Sequence, residues 1–188
     1  MSSPAPIIRL TPEEYLRVEV QGEIRHEYVR GQLFDMVGGT DIHNLISLNL
    51  ASGLRAKLHA RPCRVFMADM KVRVTKANVF YYADVFVTCD PGDTEPYFKE
   101  HPSLIAEVLS SSTEGTDRRE KFLAYELLTS LKEYVLIHQS RREVELFRRD
   151  APDQPWTRST HAGDEEITFD SLDVSLQIAQ IYEGLDLD

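Results

Sequence analysis

The chain of 188 residues carries 21 Lys and Arg against 31 Asp and Glu, a formal net charge of −10, with 42% hydrophobic and 28% charged residues. That balance excludes a disordered chain and a generally basic nucleic-acid coat, so any DNA contact needs a local basic strip and weakens with salt. The length fits one domain, 1–188 with a core from about 11 to 150, and the longest apolar run, Val79 to Ala83, is far below the ~20 residues that cross a bilayer.

Residues 1–10 read as a lead-in without the basic start and apolar stretch of a secretory signal, so a cytoplasmic location and no membrane contact are expected. Thr11-Pro12-Glu13-Glu14 is a capping box with proline at the first helical position and predicts a short helix to about Val20. His26 to Val37 predicts a hairpin turning at Arg30-Gly31. After Gly38-Gly39-Thr40, the 3–4 spacing of Ile42, Leu45, Ile46, Asn49, Gly53 and Leu54 predicts a helix over about 42–59. Strands follow at Val65 to Thr75, Val79 to Cys89 and Ser103 to Leu109, the last apolar enough to be buried on both faces. A polar loop, Ser110 to Thr116, leads to a helix over about Asp117 to Leu128. Strands at Glu133 to His138 and Glu143 to Arg148 come next, then a weak one near Trp156 to Thr160, and a tail over Leu172 to Leu185 of mixed character. The order predicts an α/β (α+β) sandwich, a mixed β-sheet flanked by helices. Cys63 and Cys89 fit no zinc spacing and read as separate buried thiols of a reducing compartment.

There is no phosphate-cradling glycine motif and no nucleophile elbow. Two acids inside apolar strands are more informative. Asp84 lies among Tyr82, Val85 and Val87, and Glu107 lies in Leu104-Ile105-Ala106-Glu107-Val108-Leu109. A carboxylate there costs several kcal/mol to desolvate unless it is paired or opens into a cleft. Two such acids on neighbouring strands make a site for a hard cation such as Mg²⁺. Arg118 and Arg119 near the following helix start are candidate phosphate contacts. Arg141, Arg142, Arg148 and Arg149 are either a second basic patch or a solvated face balanced by Glu120, Glu143 and Glu145.

Several segments together are specific. They are Tyr81-Tyr82-Ala83-Asp84-Val85-Phe86-Val87, then Ile105-Ala106-Glu107-Val108-Leu109-Ser110-Ser111-Ser112-Thr113, then Asp117-Arg118-Arg119-Glu120-Lys121-Phe122 with Tyr125. With Thr11-Pro12-Glu13-Glu14-Tyr15-Leu16, the Arg25 to Gly31 segment and His43-Asn44, the chain from about 11 to 138 resembles the Uma family of "putative restriction endonucleases" in the PD-(D/E)XK superfamily. The resemblance implies a restriction-endonuclease-like fold and hydrolysis of DNA phosphodiesters with Mg²⁺ or Mn²⁺ held by Asp84, Glu107 and the backbone carbonyl of Val108. Lys121 takes the place of the superfamily lysine, whose usual position is Leu109 here, and is expected to reach the cleft instead of pairing with Asp117 across the helix surface. Glu27 is an extra acid or a surface partner of Arg25. Ala83 replaces the superfamily proline. A homodimer is expected, because cutting both strands needs two sites. The other function class is a catalytically silent nuclease-fold module acting in binding or assembly, which the acidic charge and Leu109 favour.

Overall fold

A computed structural model describes residues 9–36, 38–110 and 114–187. The first eight residues of the lead-in, Val37 at the hairpin's end and Ser111-Ser112-Thr113 of the family-like motif lie outside them. Helix α1 (Pro12–Gln21) starts on the expected capping box, with Thr11 and Glu14 bonded reciprocally. Strands β1 (His26–Val29) and β2 (Gln32–Asp35) form the hairpin, with both Arg30 and Gly31 at positive φ. That geometry matches the right-handed twist of the two arms, and at Gly31 an added Cβ would lie 2.8 Å from Arg9. Helix α2 (Asp41–Leu58) is capped by Thr40.

The next segments differ from the sequence reading. The two long strands expected over 65–75 and 79–89 are each broken in two. They form β3 (Arg64–Met67) and β4 (Lys71–Val74), then β5 (Val79–Tyr82) and β6 (Val85–Thr88). β3 pairs with β6 and β4 with β5, but the two pairs belong to different sheets. Three residues, 68–70, on one arm oppose two, Ala83 and Asp84, on the other. This is a bulge, with Ala68 at φ 52° donating its N–H to the Asp84 carbonyl. Bulges bend strands and re-aim side chains, and here the bend carries the chain from one sheet to the next at Asp84.

Strands β7 (Phe98–Lys99) and β8 (Pro102–Leu109) follow. The helix expected from Asp117 instead opens as a π-helical turn, Thr116–Lys121, before one α turn, α3 (Phe122–Tyr125). β9 (Glu133–His138) and β10 (Glu143–Arg148) match their expected ends. β11 (Thr157–Ala162), the hairpin of β12 (Glu166–Phe169) and β13 (Val174–Gln177), and the short α4 (Ile178–Ile181) complete the described chain.

One sheet runs β2-β1-β5-β4-β7 and a second β11-β10-β9-β8-β6-β3, each mainly antiparallel with one parallel pair, so the fold is mixed α+β. The second sheet is covered on both faces. Ile46, Leu50, Leu54 and Leu58 of α2 pack on Val85, Ala106, Val108 and Val135. On the other face Phe86, Ile105, Leu109 and Tyr134 meet Val72 and Tyr81 of the first sheet and Tyr125 of α3. Alternation along β8 therefore turns Glu107 to this second face, with Ile105 and Leu109.

Cys63 and Cys89 are not separate thiols. They form a disulfide, because the β3–β6 register pairs Arg64 with Thr88 and sets the two cysteines opposite each other one step beyond.

A carboxylate-rich cleft at the junction of two sheets

Asp84 and Glu107 are brought together by register. β6 and β8 pair Val85 with Ala106, so the residues one step on, Asp84 and Glu107, stand opposite each other. Each carboxylate takes the other strand's amide. Val108 N–H donates to Asp84 Oδ2 at 2.7 Å, and Asp84 N–H donates to Glu107 Oε2 at 3.3 Å.

Glu27, Lys121, Asp117 and Tyr125 join the pair. Glu27 of β1 points away from the Tyr28 cluster, on the same side of the strand as Val29, and accepts the Tyr82 N–H at 3.2 Å. Its side chain is one-sixth exposed, so the surface pairing with Arg25 is not formed; Arg25 bonds Asp69 instead. From the π turn, Lys121 Nζ lies 3.3 Å from Glu107 Oε1, 3.4 Å from Glu27 Oε1 and 3.2 Å from Asp117 Oδ1. The expected alternatives for Lys121, cleft or Asp117, therefore coincide: Asp117 is itself buried in the cleft. Tyr125 donates to Glu107 Oε1 at 3.1 Å, and Tyr134 donates to the Asp117 carbonyl at 2.9 Å.

His43, named in the sequence reading only within the family-like His43-Asn44 pair, joins the site. Its Nε2 is 3.1 Å from Asp84 Oδ2, and both side chains are 22% exposed, so the cleft meets solvent at this end. A Cβ at Gly39 would sit 3.0 Å from His43 Nδ1, so the loop lies close against the ring and any larger residue would press on it. The glycine pair just before a histidine at a helix start was the available signal.

The electrostatics follow from three carboxylates facing one buried lysine, with a fourth, Asp84, beside Glu107 and His43. Burial pushes the Glu107 carboxyl well above its ordinary range; Lys121 opposes this, and Asp84, Asp117 and Glu27 add to it. Burial likewise raises Glu27 against the pull of Lys121. For Lys121 burial works against the charged form, but Glu107, Glu27 and Asp117 outweigh it and hold the ammonium protonated well above its usual range. The hydrogen bond to Asp84 raises His43. Asp117 Oδ1 is buried without a hydrogen bond, its contact with Lys121 being one of charge only.

The basic candidates divide. Arg118 is committed to Glu145, at 2.5 and 3.0 Å, and to Glu114 at 2.8 Å. Arg119 is exposed. Arg148 pairs with Glu133, and Arg149 is buried against carbonyls of Leu131, Leu128 and Glu126 and over the Trp156 ring. Among the described residues, the group of three or more whose ligand atoms all lie within 4.8 Å of one another is His138, Glu143 and Glu145, away from the Asp84–Glu107 cleft. There, however, Arg118, Arg141 and Arg158 already hold the carboxylates, and a cation would have to displace guanidiniums.

Similarity to known proteins agrees with this architecture. The family model described as "Uma2: Putative restriction endonuclease" matches residues 12–180. Two uncharacterized proteins of Synechocystis sp. (strain ATCC 27184 / PCC 6803 / Kazusa) are similar over nearly their whole length. One, slr1290, is 34% identical over 98% of this chain and 97% of its own; the other, sll1609, is 32% identical over 88% and 95%. The crystal structure of a "putative nuclease belonging to DUF820" from Anabaena variabilis ATCC 29413 superposes with a TM-score of 0.72 at 17% identity, covering 92% of this chain and 97% of that one. No helix of the described residues is long and apolar enough to cross a membrane.

Proposed function

This chain belongs to the Uma2 family, and on that premise we propose that it is a metal-dependent DNA endonuclease whose active centre is the cleft of Asp84, Glu107 and Lys121. The observation that carries the reading is the charge surplus: Glu27, Glu107 and Asp117 surround a single lysine, Asp84 stands opposite Glu107 and against His43, and one buried carboxylate oxygen is left without a hydrogen bond. A buried excess of negative charge costs several kcal/mol unless a proton or a cation offsets it, so the donor set suits a hard divalent ion. Asp84, Glu107 and the main-chain carbonyl of Val108 would hold Mg²⁺ or Mn²⁺, which in such sites lowers the pKa of a water and neutralises charge on the scissile phosphate.

The remaining roles belong to the chain. Lys121, kept protonated by its carboxylates, sets a fixed positive charge where the phosphate gains negative charge. Glu27 and Asp117 hold that ammonium in place. Tyr125 orients Glu107 through its hydroxyl, and His43, wedged by Gly39, orients Asp84. Because the cleft meets solvent beside Asp84 and His43, the DNA backbone enters from that side; exposed Arg119 is a candidate phosphate contact and Arg118, held by Glu145, is a weaker one. Two copies related by a two-fold axis would supply the two centres that a double-strand cut needs.

The test is nicking of supercoiled plasmid across a Mg²⁺ and Mn²⁺ series. Wild type should cleave, Asp84→Ala and Glu107→Ala should not, and Lys121→Ala should bind metal but turn over slowly. Asp84→Ala cleaving as well as wild type would remove the assignment. Wild type that binds Mg²⁺ yet cleaves nothing would favour the silent module.

A further inference from the structure

We propose that Phe34, flanked by Met36, is a stacking platform for a base of the DNA strand whose phosphate lies in the cleft. The inference rests on the nuclease reading above and adds a contact to the base beside the contact to phosphate. Directly opposed residues of an antiparallel pair share a sheet face, with Cβ atoms about 5 Å apart. The β1–β2 register pairs Phe34 with Glu27, so the Phe34 ring stands on the side of the hairpin that sends Glu27 to Lys121. By alternation Gln32 and Met36 share that side. Leu33 and Asp35 take the other, against the Tyr15–Tyr28 cluster and His26.

Contacts tie Phe34 and Met36 to the open end of the cleft. Met36 N–H donates to the Arg25 carbonyl at 2.9 Å, and the Arg25 side chain is bonded to Asp69. Beside Asp69 in the bulge, Ala68 N–H donates to the Asp84 carbonyl. Further along the chain, Gly39 lies against the ring of His43, which meets Asp84 where the cleft reaches solvent. The support is firm, because the Arg30-Gly31 turn has the twist the two arms require. Yet Phe34 is 50% and Met36 37% exposed, on an edge strand of the kind that proteins normally protect with charge.

Charge selects the occupant. The chain carries −10, and the cleft itself is lined by carboxylates, so a polyanion is repelled from most of this surface. Gln32, Phe34 and Met36 form a wall without charge. A second copy seated on that wall would bring its own acidic cleft against this one. A strand with its phosphate on the metal has instead to place the adjoining base beside the cleft. There the Phe34 ring offers a surface that stacks any base, and the Met36 thioether packs against an aromatic edge.

Fluorescence anisotropy tests this with the full chain and two labelled single strands, each about ten nucleotides long. One has mixed sequence and the other is abasic throughout. Ca²⁺, which also takes oxygen ligands, replaces Mg²⁺, and a gel verifies that the strands stay intact. Wild type should bind the base-bearing strand at least about 10-fold more tightly than the abasic one. Phe34→Ala should abolish that difference and leave the abasic affinity unaltered, and Phe34→Trp should keep the difference. Circular dichroism verifies each fold, and Phe34→Leu, which keeps the bulk and loses the ring, replaces Phe34→Ala if that variant does not fold. Equal affinities in wild type overturn the inference, as does a difference that survives in folded Phe34→Ala or an equal loss for both strands. A dimer by light scattering that Phe34→Ala dissolves also overturns it, because a second copy then covers the face. If wild type binds neither strand, the DNA reading itself is removed and the inference falls with it, an outcome distinct from equal binding of both.

Discussion

Glu107 and Glu145 are equally buried, at 1% exposure each, yet their chemistry has opposite signs. Around Glu145, Arg118 and Arg158 approach to 2.5 and 2.7 Å and His138 to 3.1 Å. Burial alone would raise that carboxyl, but these partners win and hold it at about 2. Around Glu107 burial is the largest effect; Lys121 opposes it, Asp84, Asp117 and Glu27 add to it, and the carboxyl is pushed well above its ordinary range. Burial works against the charged form of both carboxyls, and what separates them is whether cationic partners outweigh it. The His138–Glu143–Glu145 group has metal-like spacing, but its guanidiniums complete it. The Asp84–Glu107 group has a carboxylate surplus that only a proton or a cation completes.

The comparison can be broken at several points. The largest effect is expected at the surplus. Asp84→Ala and Glu107→Ala should lower metal-dependent nicking at least about 100-fold, while the thermal melt of Asp84→Ala without metal stays level or rises; Glu107→Ala, which strips Tyr125 and Lys121 of a partner, is read by activity. A clear loss of stability in Asp84→Ala would mean that its carboxylate is structural.

Next in size is the balanced cluster. Glu145→Ala strips the partner from Arg118, Arg158 and His138 and should cost about 3 kcal/mol in urea unfolding, the low end for a broken buried pair because both arginines keep some exposure to water. Its Mn²⁺ affinity should be unaltered.

Smaller and more diagnostic is the pH dependence of stability. Glu145 titrates near 2 when folded against 4.5 for an ordinary glutamate, so its contribution is full above about 4.5 and lost as pH falls toward 2. Glu107 is raised, so the metal-free folded chain keeps a proton that the unfolded chain releases, and its contribution is lost as pH rises from about 4.5 through the folded value. Glu145→Gln should flatten the acid limb and Glu107→Gln the upper one, and saturating Mg²⁺ should flatten the upper limb of wild type. Equal slopes in both variants would contradict the comparison.

The smallest effect is expected from Tyr125→Phe, which removes one hydrogen bond to Glu107. A cost of about 1 kcal/mol, or ~2–4 °C in melting temperature, with a few-fold weaker Mn²⁺ binding, would fit an orienting role. A change in melting without any change in metal affinity would make the hydroxyl purely structural.

Much of this was legible in the residues. β9 and β10 were readable to the residue because their apolar runs end at polar turns, and the capping box of α1 announced itself. The acids Asp84 and Glu107 stood out because carboxylates in apolar strands demand a reason. The break between β5 and β6 was only faintly legible: Ala83 and Asp84 are weak strand formers within Val79 to Cys89, but the bend itself depends on Ala68 of the facing arm adopting positive φ, a tertiary event. The disulfide was missed for the same reason, since only the β3–β6 register brings Cys63 to Cys89. Asp117 read as an ordinary helix-surface partner of Lys121, because side-chain spacing does not tell a π turn facing the core from an α turn facing water.

The central claim is that the surplus cluster, and not the balanced one, takes up the cation. Mn²⁺ titration by calorimetry of wild type, Asp84→Ala and Glu145→Gln, each verified as folded, tests it most directly. The account predicts binding in wild type and Glu145→Gln and its loss in Asp84→Ala. Binding that survives Asp84→Ala and disappears in Glu145→Gln would contradict it.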